Sequence, residues 1–165
     1  MLNRFFSRNK RTEVTLLAPL SGSILPLSQV PDPVFSQEMM GKGIAIQPTE
    51  GLLVAPLEGV VAHLFPTHHA ILMKSDSGLD ILMHIGIDTV KANGNGFAPF
   101  VSTGSRVKAG EPLLSFDLDI LSEAGYPLVT PVIIANPERI ADMQVSGQER
   151  VQAGQHPLLT LSLKP

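Results

Sequence analysis

Ala18-Pro19-Leu20-Ser21-Gly22-Ser23-Ile24 returns later in the chain as Ala55-Pro56-Leu57-Glu58-Gly59-Val60-Val61. The shared pattern, Ala-Pro-Leu-x-Gly-x-(Ile/Val), is a turn that leads into a β-strand, written twice. It predicts a duplicated β-motif with two similar halves packed together. Outward from these two turns the chain keeps the same rhythm. Short apolar runs at residues 14–17, 23–27, 44–47, 52–54, 60–65, 70–74, 79–85, 112–116, 128–134 and 158–163 read as strands. The breaks between them are supplied by 14 glycines and 14 prolines. No long amphipathic helix competes. Residues 117–123 and 137–143 are expected to form short helices, the second capped by Asn136 ahead of Pro137. The expectation is an all-β fold, an antiparallel sandwich or barrel with an internally duplicated motif and a few short helices. A tail at residues 1–13 precedes a single domain at 14–165.

Composition narrows the class. At 165 residues and 44% apolar content the chain can bury a real core, built on Leu, Ile, Val and Met because aromatics are sparse and Trp is absent. Zero cysteines exclude disulfides, cysteine-ligated zinc and a cysteine nucleophile, and fit a cytoplasmic protein. Residues 1–11 hold Arg4, Arg8, Lys10 and Arg11 and no acid, so the rest of the chain carries 8 basic against 15 acidic residues. An acidic body without a basic stripe argues against nucleic-acid binding. No apolar run is long enough to span a bilayer. In the tail, Leu2, Phe5, Phe6 and Asn9 share one helical face, a pattern suited to an anionic membrane surface; a frayed terminus is the alternative.

The chemistry concentrates at Leu82-Met83-His84-Ile85-Gly86-Ile87-Asp88-Thr89-Val90. A strand-like run ends on His84, whose neutral imidazole is a nucleophile near working pH. His69, in Phe65-Pro66-Thr67-His68-His69-Ala70, stands on a neighbouring predicted strand and can face His84 across a sheet. Successive strand residues point to opposite faces, so only one of His68 and His69 can join the site. His63 and His156 lack any motif context. No Gly-x-x-x-x-Gly-Lys-(Ser/Thr) loop occurs, so a nucleotide triphosphate cradle is missing.

The segment from His84 to Val90, followed by Gly94-Asn95-Gly96-Phe97, resembles the active-site signature of the glucose-type IIA components of the bacterial sugar phosphotransferase system. Further landmarks of that family are Leu17-Ala18-Pro19-Leu20-Ser21-Gly22, Pro31-Asp32-Pro33-Val34-Phe35, Gly41-Lys42-Gly43-Ile44-Ala45-Ile46-Gln47-Pro48, Ser75-Asp76-Ser77-Gly78, Gly104-Ser105-Arg106-Val107-Lys108-Ala109-Gly110 and Thr130-Pro131-Val132-Ile133-Ile134-Ala135-Asn136. The resemblance implies a phosphoryl carrier. His84 takes the group on Nε2 from the histidine phosphocarrier protein and passes it to a IIB domain during sugar uptake. The resemblance further implies that a backbone carbonyl at Gly86 holds the other ring nitrogen, that His69 donates to a phosphoryl oxygen, and that Thr67 fixes one of the imidazoles. Asp88 matches an acid near the site, with capping of the following turn as its alternative role. Phe35, Met39, Met40, Ile44, Phe65, Leu82 and Ile85 match an apolar docking rim, where permeases or kinases are further candidate regulatory partners. No cofactor is required, although zinc shared by His69 and His84 with a partner's carboxylate is compatible with the family. A second reading, a zinc-dependent hydrolase, takes His69, His84 and Asp88 as three metal ligands.

Overall fold

The computed structural model describes residues 12–165. In chain order these form β1 (Glu13–Leu17), β2 (Gly22–Leu25), α1 (Pro33–Ser36), β3 (Lys42–Pro48), β4 (Leu52–Val54), β5 (Gly59–Leu64), β6 (Ala70–Ser75), β7 (Asp80–His84), β8 (Phe97–Pro99), β9 (Arg106–Val107), β10 (Pro112–Phe116), α2 (Leu118–Glu123), β11 (Thr130–Ile134), β12 (Ile140–Val145), β13 (Arg150–Val151) and β14 (Pro157–Leu163). Short 3-10 turns occupy Leu27–Gln29, Thr89–Ala92 and Pro137–Arg139. An eight-stranded sheet runs β13-β2-β3-β11-β7-β6-β5-β9, and two three-stranded sheets run β1-β14-β12 and β4-β10-β8. The strand pairings are antiparallel, as the alternating apolar runs and tight turns predict. Among the described residues no helix is long and apolar enough to cross a membrane. The expectations for the tail's amphipathic face lie outside the described residues.

The duplication extends further than the paired turns. Gly22 opens β2 and Gly59 opens β5, and each lies against a neighbouring strand's backbone. A Cβ there would stand 2.0 Å from the Gln47 carbonyl oxygen or 2.2 Å from that of Lys74, so only glycine fits. Each of these strands takes a two-residue partner, β13 beside β2 and β9 beside β5. The partners open matching sequences, Arg150-Val151-Gln152-Ala153-Gly154 and Arg106-Val107-Lys108-Ala109-Gly110. The Gly154 N–H donates to the Ala18 carbonyl at 2.8 Å, and the Gly110 N–H donates to that of Ala55 at 2.7 Å. The halves interlock where the Leu17 N–H meets the Pro56 carbonyl at 3.0 Å and the Val54 N–H meets that of Pro19 at 2.9 Å.

One main core lies among the sheets, with Leu16, Leu20, Ile46, Leu53, Ile71, Met73, Ile81, Met83, Leu113 and Leu114 fully buried. At about 1.5–3 kcal/mol per buried aliphatic side chain, this apolar mass supplies the stability that disulfides cannot. A smaller cluster, including Leu27, Val30, Phe35, Ala45, Ala70, Leu82, Ile87, Val129 and Ile133, packs on the other face of the large sheet.

Two sequence expectations are corrected. Residues 137–143 do not make a helix: Pro137–Arg139 forms one 3-10 turn, and Ile140–Val145 is the strand β12 paired with β14. Pairing with a strand already in the sheet outweighs the helix-start signal of an Asn-Pro pair. Asn136 caps nothing with its side chain. Its carbonyl oxygen accepts from the Asp80 N–H at 2.8 Å and its amide donates to the Gly78 carbonyl at 2.9 Å. It thereby pins the β6–β7 hairpin, the element that carries His84. The helix at 117–123 forms as expected, with the Asp117 carboxylate accepting from the N–H groups of Asp119 and Ile120 at 3.0 Å each.

Candidate active site

Antiparallel pairing of β6 with β7 sets Ala70 opposite His84. His69, the residue before β6, is therefore delivered beside the end of β7. The Ile85 N–H donates to the His69 carbonyl at 2.8 Å and ties the two segments together. The imidazole centroids lie 4.9 Å apart with their planes at 80°. Of the adjacent histidines it is His69, buried to 5% exposure, that joins the pair. His68 occupies the turn at φ 61°, a left-handed conformation seldom adopted by residues other than glycine.

Hydrogen bonds give the two rings different roles. The chain curls back at Gly86, where φ is 68°, and the His84 Nδ1–H donates to the Gly86 carbonyl at 2.7 Å. A carbonyl can only accept, so the proton resides on Nδ1, and in the neutral ring Nε2 keeps its lone pair. His69 Nδ1 instead pairs with the Thr67 hydroxyl at 2.5 Å. Burial, with a smaller contribution from His84, pushes the His69 pKa down from 6.5 to about 4. Burial also lowers His84. That effect is opposed by the Gly86 carbonyl and then by the carboxylates of Asp32 and Asp88. Both rings are uncharged near neutral pH.

Asp88 stands at φ 61° ahead of the Thr89–Ala92 turn, and its side chain makes no cap to that turn. Its exposed carboxylate acts on His84 through charge. Asp32 does so more strongly, and the sequence reading gave it no role. Its carboxylate accepts from the Val34 N–H at 3.0 Å and starts α1, which holds the Phe35 ring 5.0 Å from that of His84. The available signal was an Asp directly before Pro33, a helix-start pattern that would have brought Asp32 and Phe35 in together.

The apolar rim divides in two. Met39 and Met40 are exposed, at 68% and 44%, together with Val34 and Val90, and Phe65 is half-buried with its ring 5.6 Å from that of His69. Phe35, Ile44, Leu82 and Ile85 are buried, contrary to their expected place on the exposed face. Phe35 and Leu82 belong to the smaller core cluster, while Ile44 and Ile85 belong to the main core. Strand alternation turns their side chains into packed layers, and α1 folds Phe35 under the site. Among the described residues no three His, Asp or Glu side chains converge closely enough to hold a metal. Asp88 therefore does not complete a zinc site with the two histidines, and the hydrolase reading lacks its third ligand. His156 is more than a plain surface residue, since its Nδ1 accepts from the Gln152 N–H at 2.8 Å and holds the turn before β14.

A histidine whose Nδ1 is tied to a carbonyl, beside a second neutral imidazole and within reach of two carboxylates, suits group transfer between docked proteins. Comparison with known proteins agrees. Residues 14–140 match the family model described as phosphoenolpyruvate-dependent sugar phosphotransferase system, EIIA 1. The chain is 38% identical to a glucose-specific EIIA component of that system from Staphylococcus aureus, over 99% of both chains. It is 39% identical to one from Bacillus cereus, over 99% of this chain and 100% of the relative. The solved glucose permease IIA of Mycoplasma capricolum superposes with a TM-score of 0.85 at 34% identity, covering 90% of this chain and 96% of that one. Nothing in these likenesses supports a zinc hydrolase. The chain belongs to the EIIA 1 family of the phosphoenolpyruvate-dependent sugar phosphotransferase system, and is a phosphoryl carrier in sugar uptake.

Proposed function

We propose that His84 Nε2 takes the phosphoryl group from the histidine of the phosphocarrier protein and gives it to a cysteine of a IIB domain. The Nε2 lone pair forms a bond to phosphorus while the phosphorus–nitrogen bond to the carrier breaks and its electrons return to the carrier's imidazole. In the second transfer a thiolate attacks phosphorus and His84 leaves as the neutral ring. The observation that carries this reading is the 2.7 Å bond from Nδ1 to the Gly86 carbonyl, which leaves Nε2 as the free nucleophile. It also rests on membership of the family.

His69 supports the transferred group without bonding to phosphorus. We infer that the Thr67 hydroxyl donates to Nδ1 of His69, which leaves the ring proton on Nε2 to donate to a phosphoryl oxygen. A pKa of about 4 keeps that donor neutral. A neutral donor holds the anion less tightly than an ion pair would, which suits a group that must be passed on. Asp32 and Asp88 add repulsion to the same end. Met39, Met40, Val34 and Val90 form the surface on which partners dock, and the charge of a phosphorylated His84 makes regulatory partners prefer the unphosphorylated form. Zinc has two ligands in this pair and needs a third from a partner's carboxylate. Glucose is the sugar named for the relatives, and we infer it for this chain, acting in the cytoplasm. Contact of residues 1–11 with a membrane surface belongs to the same proposal.

Incubation with phosphoenolpyruvate, the general phosphotransferase enzyme and the phosphocarrier protein, followed by intact mass measurement, tests this directly. One acid-labile phosphoryl group is expected. His84→Gln abolishes it, and His69→Gln still accepts the group but passes it on poorly. Full labelling of His84→Gln would refute the proposal.

A further inference from the structure

The Gly86 carbonyl can orient His84 only if the chain around it is itself held. Gly86 is buried, and a Cβ on it would lie 2.7 Å from Thr89 Cγ2 and 2.8 Å from the Pro127 carbonyl oxygen. The Ile85–Gly86 peptide is gripped at both of its polar atoms. The Thr89 hydroxyl donates to the Ile85 carbonyl, and the Gly86 N–H donates to Thr130 Oγ1 at 3.3 Å. The Thr130 hydroxyl spends its own proton on the Leu128 carbonyl at 2.9 Å, so a lone pair faces Gly86. The next peptide is gripped likewise: its carbonyl takes His84 Nδ1–H, and the Ile87 N–H donates to the Pro127 carbonyl at 2.9 Å.

Both threonines are fully buried, at 0% exposure. Valine would fill either place with no hydroxyl to satisfy, so the hydroxyls are accounted for by these bonds. We propose that Thr89 and Thr130 are positioning residues that lock the Ile85–Gly86 peptide and thereby fix the tautomer of His84. Without the Thr130 oxygen the Gly86 N–H is buried and unpaired. With glycine at this position, the cheapest relief is rotation of the neighbouring peptides, which carries the Gly86 carbonyl off the imidazole. The neutral ring then divides its proton between the two nitrogens, and the fraction with hydrogen on Nε2 has no lone pair for attack. The consequence for transfer rests on the acceptor reading above; the tautomer itself does not.

The test uses the whole chain with 15N-labelled histidine, as Thr130→Val, Thr130→Ser, Thr89→Val and Thr89→Ser. Two readouts are taken near neutral pH: the His84 tautomer by nitrogen NMR and the initial rate of phosphoryl acceptance. The parent and both serine variants are expected to hold one tautomer, protonated on Nδ1. The valine variants are expected to show a mixture and to accept more slowly in proportion to the fraction of His84 that has lost its Nε2 lone pair, roughly twofold when the two tautomers are equal. Thr89 grips the opposite atom of the peptide, so its variants carry the test should Thr130→Val not fold. Valine variants that melt lower yet keep the parent tautomer and rate would overturn the proposal and leave the hydroxyls a purely structural role. A tautomer shift in a protein whose parent never labels would uphold the clamp and refute the acceptor reading instead.

Discussion

Lowering the pH should destabilise this protein through His69. Its imidazole titrates near 6.5 when unfolded and near 4 in the folded chain, because burial and then His84 disfavour the charged ring. The unfolded state therefore binds more protons than the folded state between those values, and stability falls with pH across that window. The contribution is fully present above pH 6.5 and lost on the way to pH 4. A shift of this size corresponds to about 3 kcal/mol over the whole window, of which roughly 2 kcal/mol falls between about pH 7 and pH 5. Urea unfolding at those two pH values measures it. The parent should lose roughly 2 kcal/mol more than His69→Gln, since surface carboxylates affect both proteins alike. Equal losses in the two proteins would show that His69 is readily protonated in the folded state, and the case for a neutral donor at the site would fall with it.

Two substitutions separate the buried floor of the site from its exposed rim. Phe35→Ala should lower unfolding free energy by about 3 kcal/mol, read from urea midpoints, because Phe35 is 5% exposed within the smaller core. Met40→Asp should change stability by no more than about 0.5 kcal/mol while weakening binding of the phosphocarrier about fivefold or more, read by calorimetry. A large stability loss from Met40→Asp would place that residue in the core, and unchanged binding would remove it from the docking face.

Local signals carry most of the fold and the histidine pair, and their limits are physical. The turns that open β2 and β5 and the strand that ends on His84 are written in contiguous residues, where period and breakers suffice. The second half of the duplication was equally legible in Arg106-Val107-Lys108-Ala109-Gly110 and Arg150-Val151-Gln152-Ala153-Gly154, but only once strand pairing showed what to compare. Phe35 is a different case. Its loop looks exposed, and its burial depends on α1 folding against residues from β3, β7 and β11. The strand β12 was hidden because an Asn-Pro start reads as a helix until β14 offers an edge. Thr89 and Thr130 are far apart in sequence yet meet on one peptide, an arrangement that no single-chain spacing rule announces.

The central claim is that phosphorus bonds to Nε2 of His84 while Nδ1 stays tied to Gly86. Nitrogen and phosphorus NMR on the phosphorylated, 15N-histidine-labelled protein measures this most directly. The account predicts a direct phosphorus–nitrogen coupling at Nε2 of His84, with Nδ1 still protonated and hydrogen-bonded. Coupling at Nδ1 of His84, or at either nitrogen of His69, would contradict it.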